Sequence, residues 1–140
     1  MKIKLLALPL ALMLMTFSSM LHAQEWATLN DDFSINYSKQ IVKMFIVSKS
    51  DTRGSIQQEA RQKMYGFIGN LNVEDSDKKL KAVFSARQML DAKVQAAISE
   101  NMQHLGSSPA GSNGYLHTFT LDLNNIKSIV PELEMPSASK

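Results

Sequence analysis

Between Leu80 and Leu105 the apolar positions fall on one side of a helix. Leu80, Val83, Phe84, Leu90, Val94, Ala97, Ile98, Met102 and Leu105 align at about 100° per residue, and Lys81, Ser85, Gln88, Ser99 and Gln103 take the other side. Glu74, Asp75 and Asp77 place negative charge ahead of this run, and Gly106 stands where a C-cap glycine belongs. The pattern predicts one helix over 76–105.

Two shorter helices are expected before it. Over 31–52, Phe33, Tyr37, Ile41, Met44 and Val47 recur at spacings of three or four, with Thr28, Asn30, Asp31 and Asp32 as capping candidates and Gly54 as a stop. The same stretch contains "IVKMFIV", rich in β-branched and aromatic residues, so a strand over 41–48 is the competing reading. Over 55–70, Ser55 and Gln58 have capping-box spacing, and Ile56, Ala60, Met64, Phe67 and Leu71 share a side. Gly66 and Gly69 each cost about 1 kcal/mol against alanine inside a helix, which argues for an end near Gly69.

Past Gly106 the pattern changes. "SSPAGSNG", 107–114, has no periodicity and reads as a flexible linker. "YLHTFTLDL" then alternates Tyr115, His117, Phe119, Leu121 and Leu123 against Leu116, Thr118, Thr120 and Asp122, which predicts a half-buried strand over 115–123. "IKSIV" is either a returning strand or a helical turn before Pro131, and 131–140 reads as a disordered tail. The expected fold is mainly α: a helical domain over 24–106 built on a three-helix core (31–52, 55–70 and 76–105), with a β segment over 115–130 packed on it.

The first residues change the compartment and the charge. "MKIKLLALPLALMLMTFSSMLHAQ" joins a basic start at Lys2 and Lys4 to an apolar run and a small-residue exit at Ala23, the layout of a secretory signal peptide. Cleavage after Ala23 and a periplasmic or secreted product are expected. The apolar run is about half the roughly 20 residues a membrane helix needs, so no membrane span is expected after cleavage. The net charge of +2 belongs to that segment: without Lys2 and Lys4, thirteen basic residues face thirteen acidic ones. A near-neutral chain lacks the clustered basic face of a nucleic-acid binder. No cysteine is present, which excludes a lipoprotein anchor and disulfides, so roughly 117 residues must fold by burial alone.

Candidate chemistry is sparse. Gly66 and Gly69 form a GxxG without the basic setting that a nucleic-acid clamp requires. The acidic residues at 74–77 fail the calcium-loop spacing, since Lys79 and Leu80 fall at its fifth and sixth places. After cleavage two histidines remain, His104 and His117, without metal-ligand spacing or a nucleophile elbow beside them. No enzyme activity, metal or cofactor is expected.

Two features point to a protein partner. Arg87 and Asp91 fall one turn apart near the middle of the long apolar stripe, as a structural pair or as a recognition site. A lone strand over 115–123 would leave an edge free for strand addition, with Tyr115, His117, Phe119 and Leu121 as the contact residues. The expected function is protein–protein interaction by a small exported protein, as an accessory subunit of an envelope or secretion assembly or as an immunity-type inhibitor. The alternative is a periplasmic chaperone that shields unfolded chains on an apolar helical face; oligomeric state is left open.

Overall fold

The computed structural model describes residues 25–49, 53–74, 76–112 and 114–138, and the expected signal peptide lies outside them. The described chain opens as a β-meander: β1 (Ala27–Thr28), β2 (Phe33–Asn36) and β3 (Ile41–Ser48). Two asparagine side chains fold its turns. Asn30 Oδ1 accepts from the backbone N–H groups of Asp32 (2.8 Å) and Phe33 (3.0 Å). Asn36 Oδ1 accepts from Ser38 Oγ (2.8 Å) and Lys39 N–H (2.9 Å), and Gln40 completes that turn at φ 56°.

The meander overturns the expected helix over 31–52. With Phe33 opposite Met44 and Ile35 opposite Val42, the period is two, and Phe33, Ile35, Val42, Met44 and Ile46 share the buried face. The β-branched run at 41–47 packs on a pleated surface, which its helical spacing alone did not disclose. Val47, on the expected helical stripe, is 65% exposed.

Helix α1 (Arg53–Gly69) follows, burying Ile56, Ala60, Met64 and Ile68, while Phe67 stacks on Phe33 at 4.6 Å. The expected helix over 76–105 is four elements. Residues Ser76–Lys79 form β5, paired with β4 (Asn72–Val73). Helix α2 (Leu80–Ala86) stops at Arg87, whose φ −133° and ψ 82° are not helical, and α3 (Gln88–Asn101) restarts beyond it. Met102, at φ −68° and ψ 126°, then turns the chain into strand β6 (Gln103–Pro109).

The expected linker over 107–114 is thus partly strand. Ala110 N–H donates to Gly114 O at 2.9 Å, and Gly111 takes the left-handed φ of 72° that the reversal into β7 (Tyr115–Asp122) requires. A short helix α4 (Asn124–Lys127) follows, so "IKSIV" enters a helical turn rather than a strand.

The five-stranded antiparallel sheet runs β1-β2-β3-β7-β6. Its buried residues form one cluster with those of the helices, including Leu80, Phe84, Val94, Ala97 and Ile98. Two layers, a sheet with helices on one face, replace the expected three-helix core: the fold is mixed α and β, neither all-α nor a helical bundle. The expected disordered tail is also corrected over its described part. Leu133 is fully buried and bridges Val73, Glu134 N–H donates to Asn72 O at 3.0 Å, and Gln40 Nε2 donates to Pro136 O at 2.8 Å. No helix among the described residues is long and apolar enough to cross a membrane.

Candidate interaction site

The sheet has two unlike faces because its residues alternate. In β3 and β7, Val42, Met44 and Ile46 lie opposite Leu121, Phe119 and His117, all buried toward the helices. The residues between them, Lys43, Phe45 and Val47 with Leu116, Thr118 and Thr120, stay at least partly exposed on the other face. Trp26 contacts this face, with Lys43 Nζ 3.8 Å from its ring centroid.

One edge of the sheet is long. β6 pairs with β7 from Gln103 to Pro109, and among the described residues no strand lies on its outer side. A free edge presents unpaired backbone N–H and C=O groups, which natural sheets commonly guard with charge, proline or a bulge. Gln103–Pro109 contains no Lys, Arg, Asp or Glu; its guards are the bulge between His104 and Gly106 and Pro109 at its end. Leu105 sits in the bulge at 57% exposure.

The residues expected to carry the contact are scattered. The side chains of Arg87 and Asp91 do not pair: Arg87 is the non-helical residue at the break, joined to Asp91 through the backbone, with Asp91 N–H donating to Arg87 O at 3.2 Å. Arg87 Nη1 instead meets Glu132 Oε1 at 2.9 Å in an exposed ion pair, a kind worth about 0–1 kcal/mol. Asp91 Oδ1 accepts from the Tyr65 hydroxyl and its Oδ2 from Gln95 Nε2 at 3.2 Å. The Tyr65 ring stacks on Phe84 at 5.5 Å. Its phenol is pushed up to about 12, first by partial burial, then by the bond to Asp91 and by that carboxylate's charge.

Tyr115 is half-buried at the start of β7, while His117, Phe119 and Leu121 are buried. β7 has β3 on one side and β6 on the other, so it offers no free edge; the edge available for strand addition is that of β6. The apolar stripe over 80–105 faces inward at Leu80, Phe84, Val94, Ala97, Ile98 and Met102, leaving Leu105 as its exposed end.

The sequence reading also missed a histidine pair. His104 Nε2 and His117 Nδ1 are 3.1 Å apart, within hydrogen-bonding reach, and the His104 ring lies 4.9 Å from that of Phe119. The contact anchors the edge strand β6 to its neighbour β7. It depends on the β6–β7 register, which places His104 opposite Phe119 and Ser107 opposite His117. Spacing along the chain could not disclose it without the hairpin. Among the described residues no three His, Cys, Asp or Glu side chains come together as a metal site. Comparisons with family models, curated proteins and solved structures give no match.

Proposed function

We propose that this protein is exported, loses its signal peptide after Ala23, and acts by binding another protein, taking an extended segment of that partner along the outer edge of β6. The observation that carries the reading is the seven-residue uncharged edge with Leu105 exposed at its bulge. Strand addition derives affinity from backbone hydrogen bonds and specificity from alternate side chains. The partner segment is therefore extended and uncharged, with an apolar residue placed against Leu105. An accessory role in an envelope assembly, or inhibition of a partner enzyme, both fit this mode of contact.

The test is affinity capture from the cell envelope of the source organism. Wild type is compared with Leu105→Lys, Ser108→Lys and the Arg87→Ala, Asp91→Ala double variant, each checked for folding by circular dichroism. A single partner at fixed stoichiometry, lost from the Leu105→Lys bait and retained by the double variant, is the expected result. Capture at full yield by both lysine variants refutes the edge as the contact. Intact-mass measurement of the same bait should show a chain starting at Gln24; a product retaining Met1 refutes the processing.

A further inference from the structure

Besides its backbone ladder to β7, little holds β6 to the sheet. Of its residues only His104 and Gly106 are not exposed, and Gly106 has no side chain. His104 is therefore the one side chain of β6 that packs inward, with its Nε2 3.1 Å from Nδ1 of the fully buried His117 and its ring 4.9 Å from that of Phe119. The ladder is interrupted at the same place, by the bulge between His104 and Gly106.

Two imidazoles hold such a contact only in some protonation states, because one ring must donate an N–H and the other must offer a lone pair. A first added proton goes to a nitrogen outside the contact, and the bond survives. A second leaves both facing nitrogens protonated, with no acceptor between them and two positive charges at contact distance. The surroundings bring no counter-charge to that face among the described residues. Strand β7 packs against β3, β6 and α3. β6 contains no Lys, Arg, Asp or Glu, and Ile46 of β3 lies opposite His117. Lys43 is on the other face with Trp26, Lys49 is exposed, and Asp122 of β7 accepts from Asn124 N–H at the far end of the strand. On α3, Val94, Ala97 and Ile98 are buried, Asp91 is taken by Tyr65 and Gln95, and Lys93 and Glu100 are exposed.

We infer that the His104–His117 pair is an acid-sensitive latch on the edge strand, closed while one ring nitrogen of the contact is free to accept and open, with β6 released from β7, once both are protonated. The direction follows from the proton count. The open form takes up one proton more than the closed form, so closure is favoured at neutral pH and lost as pH falls through the imidazole range. For an ordinary imidazole value of about 6.5, that proton multiplies the open population about thirtyfold between about pH 7.5 and about pH 5. The latch belongs to the free chain and does not depend on any partner at the β6 edge.

The experiment is backbone amide hydrogen exchange of the full mature chain, read by NMR at about pH 7.5 and about pH 5, above the ordinary carboxylate range of about 4. Each rate is normalised to the intrinsic rate at its pH. Amides of 103–108 should lose about thirtyfold in protection, while those of β2 and β3 change by less than about threefold. The His104→Gln, His117→Gln double variant keeps a polar group at both positions and titrates at neither, so its β6 protection should not depend on pH. His117→Gln alone covers the case in which the double variant does not fold: its amide oxygen accepts from His104 whether or not that ring is charged, so the pH dependence must vanish there too. A change of less than about threefold at β6 in wild type overturns the latch. The same fall in the glutamine variants overturns it as well, and so does an equal loss in β2 and β3, which would be acid unfolding of the whole domain rather than release of its edge.

Discussion

Replacing Leu90 and Ile98 in turn by alanine tests the break at Arg87. If one helix ran over 76–105, both residues would lie on its apolar stripe and the two substitutions would cost alike. In the broken arrangement Ile98 is 1% exposed within the core, whereas Leu90 is only partly buried and lines a surface hollow beside Ile129. Ile98→Ala removes fully packed carbons and should cost about 3–4 kcal/mol, within the range for large-to-small core changes. Leu90→Ala gives up less buried area and should cost about 1 kcal/mol. With a urea slope near 2 kcal/mol per M, the midpoints should fall by about 1.5–2 M and about 0.5 M. Urea unfolding followed by circular dichroism reads both, and the slope must stay constant for the comparison to hold. Equal costs for the two variants, or less than about 1 kcal/mol for Ile98→Ala, would refute the packing described for α3.

Ending the chain after Ser108 removes β7 and the six buried apolar side chains Phe119, Leu121, Leu123, Ile126, Val130 and Leu133. At roughly 1.5–3 kcal/mol each this is roughly 9–18 kcal/mol, as large as the whole stability of a domain, so the fragment should show no cooperative thermal transition; a sharp one would sink the placement of β7 between β3 and β6. Tyr65 stays protonated in the folded protein up to about 12, while an unfolded tyrosine ionises near 10, so its stabilising contribution is complete below pH 10 and is lost as pH rises through 12. A fully buried group would lose about 2.7 kcal/mol over that window, but Tyr65 is half-buried and solvent screening leaves about 1 kcal/mol. Tyr65→Phe should therefore flatten the fall in stability between pH 10 and 12, and an unchanged fall would assign it to other groups.

Local pattern was a sound guide where one face of an element is buried and its ends are marked. The alternation from Tyr115 to Leu123 and the stripe of Ile56, Ala60 and Met64 both read correctly, because each side chain's fate follows from one period. Asn30 misled for a physical reason: an asparagine oxygen that caps a helix also closes a turn, and here Asn30, like Asn36 after it, closes a turn. The second turn carries no glycine or proline, since Gln40 itself takes the positive φ, so the chain gave no punctuation between β2 and β3. "IVKMFIV" held the better signal. Arg87 marks the opposite failure, a helical pattern intact in sequence across a residue whose backbone is not helical. β6 was hidden by composition: Gly106, Ser107, Ser108 and Pro109 look like a linker, yet a strand paired on one side needs little of its own to pack. With β6 unseen, the His104–His117 contact and the real edge of the sheet were out of reach.

The same composition limits what the edge can do. Pro109 has no N–H to donate, and the bulge at His104–Gly106 interrupts the straight run, so an added strand gains regular pairing over only about three residues. A net of about 0.5–1.5 kcal/mol per hydrogen bond makes that ladder worth only a few kcal/mol, too little alone to offset the loss of free motion on association. The remainder has to come from apolar contact, and Leu105 is the exposed apolar side chain on β6. It follows that the two lysine substitutions are unequal. Leu105→Lys removes the apolar anchor and should abolish capture, whereas Ser108→Lys adds a charge beside an intact ladder and should reduce the yield without abolishing it. Should Ser108→Lys prove the more damaging, the backbone ladder dominates, and the partner would be selected by its ability to extend rather than by an apolar side chain.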